Sequence, residues 1–315
     1  MSSQPMIATS SAPAALELIS VRKAYRQFVA VQDLSLAIAP GTIFGLLGPN
    51  GAGKTSTLRM MIGITRPDSG EVRLFGEPYR RQHLDRIGYL PEERGLYKRM
   101  KVGEHLALLG ELRGLSTAES KHRAEQWCER LEISEWMQKK VEELSKGMQQ
   151  KIQFIAALLH EPDFIIMDEP FTGLDPSNTV LMKEVLLELK RDGKTILFST
   201  HQMEQVERLC DSICLIDHGK AVLQGDLRKV KAGYRRPSVQ IEYEGDGNFL
   251  GDKSLVHSFD DRGNYVEVHL AAGADPQDLL HGASRTAKVR RFALMEPSLE
   301  EIFIQVVDAG RNHAN

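Results

Sequence analysis

The chain has 315 residues, which at roughly 150 residues per domain suggests about two domains and leaves room for a sizeable core. Hydrophobic residues make up 42% and charged residues 26%, so disorder over the whole length is excluded. The formal net charge is −3, which gives no footprint of a general nucleic-acid binder.

The first fifteen residues are rich in Ser, Ala and Pro and read as a mobile tail. They lack the basic start and apolar run of a secretory signal. No stretch approaches the ~20 consecutive apolar residues of a membrane span. The longest candidate, Ile152 to Leu159, reads as a core helix. Three cysteines, Cys128, Cys210 and Cys214, form no disulfide framework and fit a reducing compartment. Cys210 and Cys214 have no second ligand pair at finger-like spacing, so a metal site is not expected there.

A first block runs from about residue 16 to 227. LELISV and VAVQDLSLAI open it as strands, and IFGLLG follows as a short buried strand leading into a glycine-rich turn. Leu58, Met61 and Ile62 then recur at helix spacing. Residues 102–160 read as a mostly helical subdomain. FIIMDEP, TILFST and ICLID are apolar runs without polar alternation, as expected of parallel strands buried on both faces. The intervening segments 178–191 and 202–209 read as helices. This strand–helix alternation predicts an α/β domain with a central parallel sheet.

The composition changes after about Arg228. Residues 228–237 are basic, carry a proline and read as a linker. SVQIEYEG and YVEVHL alternate with period two and read as an antiparallel hairpin, with Asp260, Asp261, Arg262, Gly263 and Asn264 as turn residues before the second run. DPQDLLHGA reads as a short helix with an acidic cap, VRRFALM as a strand and SLEEIFIQVV as an amphipathic helix. A small C-terminal α+β domain over residues 238–310 is therefore expected.

The sharpest motif is GPNGAGKT: Gly48, Pro49, Asn50, Gly51, Ala52, Gly53, Lys54 and Thr55, followed by Ser56. It fits G-x-x-x-x-G-K-[ST] between a strand and a helix, the P-loop context. Its glycines let backbone N–H groups and a helix N-terminus face phosphate oxygens. Lys54 supplies charge to the β- and γ-phosphates, and the Thr55 hydroxyl suits Mg²⁺. FIIMDEP, Phe164 to Pro170, places Asp168 and Glu169 at the carboxyl end of a buried strand, where ligands of open α/β sheets bind. Asp168 there suits Mg²⁺, and Glu169 suits a general base that polarises water.

LSKGMQQK, Leu144 to Lys151, resembles the signature motif of ABC-type ATPases. Tyr25, GLD at Gly173 to Asp175 and STH at Ser199 to His201 stand in the family's order around it. Residues from about 16 to 227 thus resemble an ABC transporter ATPase subunit. The resemblance implies a P-loop NTPase domain of ABC type with a helical subdomain, and ATP and Mg²⁺ as cofactors. It implies that Tyr25 stacks on adenine and that His201 meets the γ-phosphate. It also implies that Ser145 and Gly147 meet the γ-phosphate of a second copy's ATP across a sandwich dimer. Two departures stand out. Lys146 replaces a signature glycine, which would add charge near the partner's phosphates or point to solvent, and Met148 replaces a glutamine. Glu92 occupies the place of a glutamine that contacts Mg²⁺ and links the site to a membrane partner, and a carboxylate can still bind that cation. Together with the C-terminal domain, these features look like the ABC-2 type exporter branch.

The function so implied is ATP hydrolysis driving a separate transmembrane permease, with Glu169, His201 and Lys54 catalytic and Thr55, Asp168 and Glu92 around the metal. Residues 92–102 are the implied permease contact. The implied location is cytoplasmic, peripheral on the inner face of the membrane, with no nucleic-acid partner. The rival readings are a soluble ABC ATPase acting on ribosomes or DNA, whose paired cassettes or long coiled coil the sequence lacks, and an ATP-switched regulatory module, against which Glu169 argues.

Overall fold

The computed structural model describes residues 13–93, 95–234, 238–295 and 297–312. The chain divides into two compact units, Met1–Leu227 and Arg228–Asn315.

In the first unit, β1 (Leu16–Tyr25) and β2 (Phe28–Ile38) form an antiparallel hairpin. β3 (Ile43–Leu47) leads to α1 (Lys54–Met61), then to β4 (Ser69–Leu74), β5 (Glu77–Pro78) and β6 (Ile87–Leu90). α2 (Val102–Leu112), α3 (Thr117–Arg130) and α4 (Lys146–Leu158) make up the helical part. β7 (Phe164–Asp168), α5 (Pro176–Arg191), β8 (Thr195–Thr200), α6 (Met203–Leu209), β9 (Ser212–Asp217) and β10 (Lys220–Asp226) complete the unit.

The strands form two sheets. The larger has the order β10-β9-β3-β8-β7-β6. Its five strands from β9 to β6 are parallel, as the unbroken apolar runs predict, and β3, β7 and β8 are buried at every residue. β10 adds an antiparallel edge. The smaller sheet, β2-β1-β4-β5, is antiparallel throughout. Its strands alternate between core and solvent, with Leu16, Leu18 and Val21 of β1 turned inward. One core joins Leu16, Leu34 and Leu74 of this sheet to Leu58 and Met61 of α1 and to Leu46, Ile166 and Leu197 of the parallel sheet. The P-loop helix is thereby clamped between two sheets.

α4 carries the Ile152–Leu159 run as a core helix, with Ile152, Phe154 and Ile155 fully buried. α2 and α3 pack on it. Ser116 caps α3 by accepting a hydrogen bond from Glu119 N at 3.2 Å. Among the described residues no helix is long and apolar enough to cross a membrane.

Two expectations change at the edges of this unit. Residues 1–12 of the expected tail lie outside the described residues, and Ala15 is not tail: its N–H donates to Ile38 O at 2.9 Å and its carbonyl accepts from Phe75 N at 3.0 Å. The expected linker opens as helix α7 (Leu227–Gly233), because Leu, Arg, Lys and Ala in LRKVKAG are good helix formers, and residues 235–237 lie outside the described residues.

The second unit holds β11 (Ser238–Gly245), β12 (Val256–Asp261), β13 (Val266–Leu270), α8 (Pro276–Thr286), β14 (Ala287–Met295) and α9 (Leu299–Asn312). Its antiparallel sheet has the order β12-β13-β11-β14. β11 and β13 do pair antiparallel, but they are not one hairpin. β12 intervenes and forms the hairpin with β13, so Asp260 and Asp261 are strand residues rather than turn. Val239, Ile241, Val268, Leu279 and Ala283 form a separate core. Asp275 caps α8 by accepting from Gln277 N at 2.8 Å.

Cys128, Cys210 and Cys214 are free thiols, and no cluster of three or more metal-ligating side chains occurs among the described residues. Burial pushes the Cys128 and Cys214 thiols up to about 12, which suppresses the reactive thiolate. A thiol-specific chromogenic reagent at pH 8 is expected to leave Cys128 and Cys214 unmodified in the native protein and to label them only as denaturant unfolds it. Labelling of either before unfolding would contradict that packing.

Candidate active site

Local backbone rules set the glycine turn. Gly48 leaves β3 at φ +153°, and a Cβ there would lie 2.2 Å from Ile216 O. Gly53 sits at φ +108° as the cap residue of α1, and a Cβ would lie 2.3 Å from Ala30 O. Both positions therefore demand glycine. No side chain caps α1, so its first amides lack the usual capping acceptor and are free for an anion.

Lys54 is buried, and its Nζ donates to Gly48 O at 2.7 Å and Pro49 O at 3.2 Å. Burial lowers its pKa, opposed by the negative charges of Glu169, Asp168 and Glu92. The cation is thus folded back onto its own loop.

β7 and β8 run in parallel register with Asp168 beside Ser199. Ser199 Oγ donates to Asp168 Oδ1 in a short hydrogen bond, while Asp168 Oδ2 is buried without a partner. Glu169 follows in a left-handed conformation at φ +50°, anchored by its N–H to Ser199 O at 3.1 Å. Its carboxylate is held at both oxygens. Oε1 accepts from His201 N at 3.1 Å and lies 2.8 Å from His201 Nδ1, and Oε2 accepts from Thr200 Oγ1 at 3.2 Å. An acceptor carboxylate fixed in this way is oriented before any substrate arrives.

These elements surround a cavity of about 350 Å³. Asn50, Gly51, Gly53, Lys54, Thr55, Ser56, Glu92, Asp168 and Glu169 line it, so the structure gathers most of the sequence-derived site residues there. Gly48, Pro49 and Ala52 form the back of the loop, and Gly48 and Pro49 act through their carbonyls on Lys54. His201 reaches the site through Glu169.

Two groups are not gathered. Ser145, Lys146 and Gly147 are not among the cavity-lining residues. Ser145 instead caps α4, its Oγ accepting from Met148 N at 3.2 Å; Lys146 is exposed; and Gly147 lies where a Cβ would be 3.3 Å from Gly173 O. Tyr25 is also absent from the wall, and Phe28 stands there instead. The two aromatics face each other across a two-residue turn. Lys23 Nζ lies 5.7 Å from the centroid of the Tyr25 ring and is itself tied to Asp68 at 2.8 Å. Phe28 is 61% exposed and Tyr25 41%. The sequence signal for Phe28 was its place three residues after Tyr25, visible only once the tight hairpin is recognised. Ser199 and Thr200, which hold the two carboxylates, were visible only as part of the STH run.

The chain is similar to known proteins. The family model described as "ABC transporter" matches residues 31–172, and the model for the "ATP-binding protein DrrA1-3-like, C-terminal domain" matches residues 225–307. The chain is 42% identical over 294 residues to the uncharacterized ABC transporter ATP-binding protein YhaQ of Bacillus subtilis, covering 93% of this chain and 99% of that protein. It is 43% identical over 298 residues to the Nod factor export ATP-binding protein I of Cupriavidus metallidurans, covering 93% and 97%. A solved dimeric ATP-binding cassette in a post-hydrolysis state, bound to ADP and Pi, superimposes with a TM-score of 0.63 at 25% identity, covering 68% of this chain and 99% of that one.

The cavity wall predicts which aromatic carries base stacking. Phe28→Ala should weaken ATP binding about tenfold in a fluorescence titration, the scale of one lost base–aromatic stack. Tyr25→Ala should weaken it less. The opposite ranking would return the stacking role to Tyr25.

Proposed function

The chain belongs to the ABC transporter ATP-binding protein family, and we propose that it is the ATP-hydrolysing subunit of an ABC-2 type exporter, closing in pairs on ATP to drive a separate membrane permease. One observation carries the two-chain reading. The cavity holds the P-loop, both carboxylates and Glu92, yet the signature residues Ser145 and Gly147 are not on its wall. A complete site then needs Ser145 and Gly147 from a second copy.

In that site the amides of the Gly48–Thr55 turn and the uncapped end of α1 bind the phosphates. Lys54 exchanges its carbonyl partners for phosphate oxygens, which compensates its buried charge. Glu169 acts as general base on an in-line water, with its orientation set by Thr200 and by the backbone of His201. His201 keeps its ring beside that carboxylate and half exposed, free to turn toward the γ-phosphate. Phe28 bounds the base side. A magnesium ion fits the donor set: the orphaned Asp168 Oδ2 and the Thr55 hydroxyl would hold it, with Glu92 on the same wall, and it would neutralise charge on the phosphate oxygens. Loss of the γ-phosphate removes the bridge between copies, so the pair opens. Closure and opening form a two-state element biased by ligand.

The export assignment draws on the Nod factor export relative, which matches this chain over 93% of its length. The permease would take up the motion at residues 92–102, which join the cavity wall at Glu92 to the start of α2. The subunit would sit on the cytoplasmic face of the membrane.

Glu169→Gln should lower ATP hydrolysis about 10²- to 10⁴-fold while leaving the Kd for ATP within a small factor, because only the base is lost. Lys54→Ala should lose ATP binding itself. Tagged Glu169→Gln, purified with ATP from mild-detergent extracts of its own cells, should carry a multi-span membrane protein in stoichiometric amount. Ribosomal proteins or nucleic acid in its place would overturn the exporter reading.

A further inference from the structure

α4 buries three polar side chains among its apolar ones: Gln150, Lys151 and Gln153 are 3%, 4% and 6% exposed. Buried polar groups are costly unless bonded. Each of these donates to a backbone carbonyl of a different segment. Gln150 Nε2 reaches Pro170 O at 3.0 Å, Lys151 Nζ reaches Leu131 O at 2.7 Å, and Gln153 Nε2 reaches Glu93 O at 3.2 Å. Pro170 directly follows Glu169, and Ser145 is the cap residue of the same helix. A second contact closes the link, since Gly147 leaves only 3.3 Å between a Cβ and Gly173 O, in the loop that continues from Pro170.

We propose that Gln150 is a positioning residue that couples the two nucleotide sites of a paired molecule. The inference rests on the two-chain reading above. Within one chain, Glu169 serves the nucleotide in that chain's own cavity, and Ser145 serves the nucleotide of the other copy. Gln150 is not among the residues that line the cavity. Its amide joins the backbone behind Glu169 to the helix whose first turn carries Ser145 and Gly147. A displacement of Pro170 when Glu169 engages its substrate therefore moves the N-terminal turn of α4, and with it the groups offered to the other site. The tie is short: one side chain and five residues of helix, in a fully packed setting where small shifts are transmitted rather than absorbed. Coupling of this kind is a free energy shared between two sites and reads out as cooperativity.

The test uses the full chain and compares wild type, Gln150→Met and Gln153→Met. Both substitutions keep side-chain length and remove one donor from the same helix, but only the first cuts the tie to Glu169. Wild type should hydrolyse ATP with a Hill coefficient above 1 and form an ATP-dependent pair in light scattering. Gln150→Met should keep most of its maximal rate and its melting temperature while its Hill coefficient falls to about 1. Gln153→Met should keep the wild-type coefficient. Wild-type cooperativity in Gln150→Met, or equal loss in Gln153→Met, would overturn the assignment. A wild type that pairs with ATP but shows a Hill coefficient of about 1 would overturn the coupling alone. A wild type that neither pairs nor cooperates would remove the two-chain reading beneath it. Should Gln150→Met fail to fold, hydrogen exchange on Ser145→Arg, which blocks pairing and keeps Gln150, tests the same tie. ATP should change protection of the Lys146–Gln150 amides in that unpaired chain, and unchanged protection would overturn the assignment.

Discussion

The parallel register of β3, β7 and β8 is the constraint on which the site depends. Leu47 lies beside Thr200, and Asp168 beside Ser199, so three chain exits emerge side by side at one edge of the sheet. Strands that run the same way must all leave by the same edge. A glycine turn and a carboxylate pair, distant in sequence, thereby share one wall, and His201 joins them through Glu169. Every residue of IFGLL, FIIMD and TILFST is buried, so these three strands are covered on both faces, as parallel strands in the middle of a sheet are.

The polar groups at that edge are satisfied internally, apart from those that ligands would complete. Lys54 is held by Gly48 and Pro49 carbonyls, Glu169 by Thr200 and His201, and Asp168 by Ser199 at one oxygen only. The uncapped start of α1 and the bare Asp168 Oδ2 are the unfinished ends. One offers donors and suits an anion; the other offers an acceptor and suits a cation. Their joint presence in one cavity fits a metal–polyphosphate better than either charge alone.

The sequence was most informative where function is contiguous. Gly48 to Thr55 and Asp168–Glu169 could be read directly, because the turn, the helix start and the strand end each need particular residue types in unbroken order. It was least informative where meaning depends on pairing. Phe28 gains its place on the cavity wall from a two-residue hairpin opposite Tyr25, and no local pattern distinguishes the two rings. Asp260 and Asp261 resemble turn residues by composition, yet pairing with β13 draws them into β12. The partners of Asp168 and Glu169, Ser199 and Thr200, come from the next strand and follow from register rather than from motif.

The signature residues on α4 belong to the same chain as the cavity but not to its wall, which makes pairing the central claim. The most direct measurement is the mass of Glu169→Gln by multi-angle light scattering, with ATP and without. The predicted result is a doubled mass only with ATP, two nucleotides per pair, and no doubling when Ser145→Arg is added. A monomer saturated with ATP, or pairing indifferent to Ser145→Arg, would contradict a site shared between two chains.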